Sequence, residues 1–395
     1  VKDSSKWVIF PRLSYNAHIH IEERNAELSK VFSEYSRNVI VPEKAEGCKK
    51  GIATHGISYT YTAEALRDKA APRVFKVATP FPFPEQQAVE FLSGLDEVLC
   101  IEELDPIIER ELTYICGKYH LPTRILGKLT HNVKTAGENT CSSVLANISE
   151  FMRWEIPAAA KAEETPPLPV RPPVLCAGCP HRASFFAVKE AMKGQKSVFC
   201  GDIGCYTLGN AQPLDMVDTC LCMGAGVNIT QGIGRIEPDT KCFAFVGDST
   251  FFASGITGVV NAVYNQTDII LVVLDNSTTA MTGHQPHPGT GVTMMGEVSN
   301  CISIEKILEA IGVRSIQITD PLDYAAAVAA VQKAAGETGV DVAVQEGIEM
   351  HALGHGGDVH LAAAAAQFHH LARGQAVDGG RALEGHADAQ TGTLV

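Results

Sequence analysis

Basic charge is scarce in this chain. Its 395 residues carry 32 Lys and Arg against 45 Asp and Glu, a formal net charge of −13. That balance argues against nucleic-acid and anionic-membrane partners, whose phosphates attract basic surfaces. Long apolar runs are lacking too: no stretch could span a bilayer, and residues 1–20 have no signal-peptide pattern. The twelve cysteines do not read as a secreted disulfide framework, which belongs to small domains with poor cores. A reducing cytoplasm is the expected compartment. What is present fits a globular α/β enzyme: 45% apolar residues with 35 Gly and 20 Pro, in a length sufficient for two or three domains.

The most informative stretch is 244–290. An apolar run, Ala244-Phe245-Val246, ends in Gly247-Asp248-Ser249, and a second run, Ile269 to Leu274, breaks at Asp275-Asn276-Ser277. This pattern predicts two parallel strands joined by a crossover helix, with a carboxylate past the first strand and a carboxamide past the second. In an open α/β sheet both loops lie at the carboxyl edge, where ligands bind. Carboxylate and amide oxygens are hard donors suited to Mg²⁺, and a helix N-terminus expected near Phe251 would favour a diphosphate. Gly247-Asp248-Ser249, 25 residues, then Asp275-Asn276 resembles the thiamine diphosphate signature GDG…NN. An ordinary βαβ unit with polar loop ends is the alternative.

Taken in order, residues 1–45 form a connector region, with an amphipathic helix expected over 21–38 from apolar positions at i, i+3, i+4 and i+7 after Leu28. Residues 46–135 alternate short apolar runs (51–58, 74–77, 97–101, 122–127) with helical segments (59–68, 86–95, 107–120), which predicts a first parallel-sheet α/β domain. Glu102, Glu103 and Asp105 at a strand end read as a solvated helix N-terminus, where acids suit the dipole. His55, alone near a turn, carries little weight. Residues 136–173 hold a helix around 144–153 and a linker with Pro166, Pro167, Pro169, Pro172 and Pro173, a semi-rigid spacer. Residues 174–345 form a second parallel-sheet domain, so the fold class is α/β, two three-layer domains. Residues 281–290 read as a flexible polar loop suited to closing over a ligand. The last 50 residues hold six of the 14 histidines, including His351, His355, His360, His369 and His370, an Ala run and no Lys. Their spacing matches no ligand pattern, and residues 346–395 read as a disordered or non-native, out-of-frame tail.

Residues 46–345 resemble the α subunits of indolepyruvate ferredoxin oxidoreductases, in the thiamine diphosphate-dependent 2-oxoacid:ferredoxin oxidoreductase superfamily. The resemblance is carried by GISYTYTAEAL, KVATPFPFP and CIEELDPIIE in the first domain. In the second it is carried by RPPVLCAGCPHR, GDIGCYTLG, FVGDSTFFASG and LDNSTTAMTGHQPHPGTG. It implies a transketolase C-terminal-like first domain and a second domain of the pyrophosphate-binding type. Asp248, Asn276 and the backbone carbonyl of Thr278 would hold Mg²⁺ against the cofactor diphosphate, with Gly247 and Ser249 flanking the phosphates. Gly224, Ala225 and Gly226 would lie close to the cofactor where side chains would obstruct it. The implied reaction is oxidative decarboxylation of an arylpyruvate such as indolepyruvate to the aryl-acetyl-CoA, with coenzyme A taking the acyl group and ferredoxin the electrons. The implied partner is a smaller β subunit.

Cys176-x2-Cys179 followed by Cys205 is similar to the [4Fe–4S]-binding pattern of related β subunits, a spacing that suits zinc equally well. That pattern needs a fourth Cys near 345, and no Cys follows Cys301, so either the site is incomplete and these are free thiols in a tight turn, or a residue such as Cys220 or Cys222 completes it. The family's pyrimidine-binding domain, which supplies the activating carboxylate, has no counterpart before residue 46. The clustered cysteines of its ferredoxin-like segment are likewise missing. The chain therefore reads as a fragment, inactive alone, with its catalytic residue unassigned. Two other readings stay open: a non-oxidative thiamine diphosphate lyase or synthase, which needs no cysteine cluster, and an inactive binding or assembly remnant.

Overall fold

The computed structural model describes residues 2–42, 47–67, 69, 72–155 and 166–346. The chain divides into two compact units, Val1–Pro167 and Leu168–Val395. The tail expected from 346, and the histidines in it, lie from 347 onward outside the described residues.

In the first unit a short helix, α1 (Ser4–Trp7), precedes α2 (Pro11–Ser33). The latter begins ten residues earlier than its apolar spacing predicts, at a proline in the first helical position, where the missing N–H is not needed. Its C-terminal end is fixed by serines rather than by a buried face. The Ser29 hydroxyl donates to Phe83 O (2.6 Å), and the Gln86 N–H donates to Ser33 Oγ (3.2 Å). The sheet strands are β1 (Val39–Val41), β2 (Lys50–Thr54), β3 (Arg73–Lys76), β4 (Glu97–Ile101) and β5 (Arg124–Leu126), in the order β1-β3-β2-β4-β5. All pairs are parallel except β1 with β3, an edge strand that a three-residue run before Pro42 does not announce. Asn38 holds it in place, its Oδ1 accepting from the N–H groups of Ala78 (2.6 Å) and Thr79 (3.2 Å). The pleat sends Ala53, Phe75, Val98 and Cys100 to α4 (Glu85–Leu92) and α5 (Ile107–Tyr119). Ile52, Val74, Leu99 and Ile101 face the layer of α3 (Gly56–Ala65) and α6 (Cys141–Met152).

The second unit is a wholly parallel sheet of β6 (Ser197–Cys200), β7 (Lys241–Gly247), β8 (Ile269–Asp275), β9 (Ser315–Thr319) and β10 (Val340–Glu346), ordered β6-β7-β8-β10-β9. Helices α7 (Pro180–Ala191) and α8 (Ala225–Ile236) flank the entry to it. One unbroken helical run follows β7: α9 (Asp248–Thr250), a π turn (Phe251–Gly255) and α10 (Ile256–Tyr264). It starts at Asp248, three residues before the start the sequence suggests. The remaining helices are α11 (Ile304–Ile311) and α12 (Tyr324–Gly336). Alternate residues divide the core: Phe243, Phe245, Val272 and Leu274 pack with Phe185, Val188 and Val331 on one face. Ala244, Val246, Leu271 and Val273 pack with Val227, Val259 and Leu308 on the other. Burial on both faces is why β7 and β8 read as continuous apolar runs. Among the described residues no helix is long and apolar enough to cross a membrane.

Candidate active site

Parallel pairing of β7 with β8 sets Gly247 opposite Leu274, so Asp248 and Asn276 emerge at the same carboxyl edge from adjacent strands. Both are buried, at 1% and 7% exposure. Asp248 accepts from the Ser249 N–H at Oδ1 (2.6 Å) and lies 3.1 Å from His287 Nε2 at Oδ2. Past β8 the Ser277 N–H donates to Asp275 Oδ1 (2.9 Å), which stabilises Ser277 in the left-handed region (φ 58°) and turns the chain just beyond Asn276. Thr278 N–H then reaches Asn276 Oδ1 at 3.4 Å. The two strand-tip loops are tied by the Thr279 hydroxyl, 2.9 Å from Ser249 Oγ.

The glycines are needed for a reason the sequence does not reveal. At Gly247 a Cβ would sit 1.8 Å from the Tyr206 hydroxyl, and at Gly226 it would sit 2.5 Å from Gly201 O. At Gly224, where φ is +80°, it would meet Ser254 Oγ at 2.5 Å. The space a side chain would take is filled by protein atoms, so these glycines let three loops close on one another.

Asp202, just past β6, is the knot of those loops and was not singled out by sequence reasoning. It is fully buried; Oδ1 accepts from the Gly224 N–H (2.8 Å) and Oδ2 from the Gly247 N–H (3.4 Å). Burial pushes its carboxyl above the ordinary range, opposed by those backbone donors. Burial likewise holds the Tyr206 phenol far above its usual value. Gly201-Asp202 repeats at β6 the strand-end pair of Gly247-Asp248, and that repetition was the available signal. His287, at 8% exposure, also went unnoticed. Its loop is not loose, since Thr279 N–H donates to Gln285 O (3.0 Å) and Thr290 N–H to His287 O (2.9 Å).

The cysteines behave differently. Cys176 and Cys179 form a tight turn into α7, closed by the Cys179 N–H to Cys176 O bond (3.3 Å). Cys176 is exposed, Cys179 buried and Cys205 half-buried; Cys220 lies 3.8 Å from the Thr207 hydroxyl, and Cys222 is exposed. Among the described residues no three His, Cys, Asp or Glu side chains are grouped so as to hold a metal. The donors at the β7 and β8 tips, a carboxylate and a carboxamide, fit a hard divalent cation.

Residues 202–342 match the family model for the thiamine pyrophosphate enzyme, C-terminal TPP binding domain. The indolepyruvate oxidoreductase subunit IorA of Methanothermobacter thermautotrophicus is 34% identical over 357 residues, covering 87% of this chain and 56% of that protein. The chain is similar to the IorA subunits over most of its own length. That of Archaeoglobus fulgidus is 38% identical over 307 residues, 74% of this chain and 48% of its own. The chain thus spans about half the length of the curated relatives it matches. Among solved structures, a 2-oxoglutarate:ferredoxin oxidoreductase from Magnetococcus marinus aligns over 45% of this chain and 64% of that chain, with 18% identity and a TM-score of 0.39.

Proposed function

We propose that the chain supplies the diphosphate- and Mg²⁺-binding part of a thiamine diphosphate-dependent 2-oxoacid oxidoreductase in the cytoplasm. The substrate class is indolepyruvate and related arylpyruvates, oxidatively decarboxylated to aryl-acetyl-CoA with ferredoxin as acceptor, in a heterodimer with a smaller β subunit. The observation that carries this reading is the pair Asp248 and Asn276, buried at the tips of adjacent parallel strands in a chain similar to IorA. In this reading Asp248, Asn276 and the Thr278 carbonyl hold Mg²⁺, while Gly247 and Ser249 lie beside the diphosphate. The segment Gly224-Ala225-Gly226 lines the approach, held by Asp202. When bound, the cofactor supplies the carbanion chemistry that decarboxylates a 2-oxoacid. The protein's own part is to fix a dry, preformed cation site where no donor must reorganise. No electron path is assigned through Cys176, Cys179 and Cys205.

The test is indolepyruvate- and coenzyme A-dependent ferredoxin reduction by the purified complex, run beside Asp248→Ala. Turnover that needs both Mg²⁺ and Asp248 is expected. Turnover unchanged by Asp248→Ala, or product formed without any electron acceptor, would sink the assignment.

A further inference from the structure

His287 belongs to no predicted ligand set, yet its ring is fixed from three sides. Nδ1 accepts the Gly289 N–H at 3.2 Å, which leaves the ring proton on Nε2, and Nε2 faces Asp248 Oδ2 at 3.1 Å. Phe252 stacks against the ring at a 5.8 Å centroid separation and a 30° interplanar angle. On the backbone side, the Thr290 N–H and hydroxyl both donate to His287 O, at 2.9 and 2.8 Å. A Cβ at Gly289 would lie 3.0 Å from Phe252 and 3.1 Å from the His287 ring, so the loop closes tightly on the imidazole.

We propose that His287 is a positioning residue for the cation site: its Nε2–H fixes the Asp248 carboxylate in the rotation that presents free lone pairs to Mg²⁺. The inference rests on the cofactor reading given above. Each Asp248 oxygen accepts one protein hydrogen bond, Oδ1 from Ser249 and Oδ2 from His287. A carboxylate oxygen has two acceptor sites, so one on each remains for the ion. Orientation of this kind by a neighbour outside the ligand set typically governs metal affinity by about 10- to 100-fold. The arrangement also has a topological consequence. His287 lies 39 residues from Asp248 but eleven past Asn276, in the loop that follows β8. The segment that provides the second ligand therefore orients the first, and the two donors are set together or not at all.

Three versions of the full chain separate this role from mere packing: wild type, His287→Phe, which keeps the stack on Phe252 without the donor, and His287→Gln, whose amide can still reach Asp248. Each is titrated with Mg²⁺ at saturating thiamine diphosphate, and its melting temperature is recorded in EDTA. The expected result is Mg²⁺ binding weaker by about 10- to 100-fold in His287→Phe and largely restored in His287→Gln, with both variants melting near wild type without metal. The proposal is overturned if His287→Phe binds Mg²⁺ like wild type, or if His287→Gln loses as much as His287→Phe. A wild type that shows no saturable Mg²⁺-dependent binding defeats the cofactor reading itself, whereas a binding wild type with indifferent variants defeats only the role of His287.

Discussion

Each unit ends its parallel sheet in buried carboxylates, but the two edges use them differently. In the first unit Glu102, at 1% exposure, turns into the start of α5, where Oε2 accepts the Ile108 N–H (2.9 Å) and Oε1 the Glu109 N–H (3.0 Å). Glu103 likewise takes the Asn139 N–H at 2.8 Å. Glu102 thereby satisfies the first amides of α5. In the second unit Asp202 does a corresponding structural job for Gly224 and Gly247, while Asp248, past the adjacent strand, meets the Ser249 N–H and the His287 ring. A carboxylate at the carboxyl edge is therefore not by itself a sign of a site. What distinguishes the edges is what the buried acid meets: two successive helix amides at Glu102, one amide and an imidazole at Asp248.

The largest effect that could break this contrast comes from exchanging the two acids. Asp248→Ala should abolish measurable Mg²⁺-dependent thiamine diphosphate binding. Glu102→Ala should leave that binding intact but destabilise the first unit by about 1–3 kcal/mol, because buried donors lose their acceptor. Calorimetric titration and chemical denaturation of both variants check this, and a cofactor defect in Glu102→Ala would erase the distinction. A smaller effect is expected at Gly247. The Gly247→Ala methyl collides with the Tyr206 ring, which should cost roughly 1–3 kcal/mol as overpacking and weaken cofactor binding. Adding Tyr206→Ala should recover part of the binding; if the double variant is no better than the single, the close approach is not what the glycine serves.

The smallest effect lies at the opposite, amino-terminal edge of the second sheet. There burial, with the Glu337 carboxyl beside it, pushes Asp341 up to about 6. The unfolded chain releases this proton near the ordinary value of 3.8, so between those two values the unfolded state binds fewer protons than the folded one. Stability should then fall as pH rises through that window. Asp341→Asn should be more stable than wild type above pH about 6 and lose the advantage below pH about 4, read from melting temperatures across the range. Identical pH profiles would show that Asp341 is no burden.

Most of the architecture was legible because it is periodic. Runs such as Ile269 to Leu274 and the amphipathic stretch Ile304–Ile311 state their structure locally, and the order of strands and helices follows from them. The antiparallel edge strand Val39–Val41 was not legible, since its register depends on an asparagine that caps backbone amides some 40 residues away. Within the site, Asp248 and Asn276 were visible as strand-end polar residues. His287 was not, because its burial against Phe252 is a tertiary fact and the sequence around it looks like an open polar loop. At the glycines the sequence shows that a side chain is excluded, but not which atoms exclude it.

The most direct measurement is a crystal structure of the chain with thiamine diphosphate and Mn²⁺ in place of Mg²⁺, read by anomalous scattering from the metal. The account predicts one Mn²⁺ peak bonded to Asp248 Oδ and Asn276 Oδ1 at about 2.0–2.2 Å, close to the distances expected for Mg²⁺, with diphosphate oxygens completing its shell. A bound cofactor whose metal contacts neither residue, or only one of them, would contradict it.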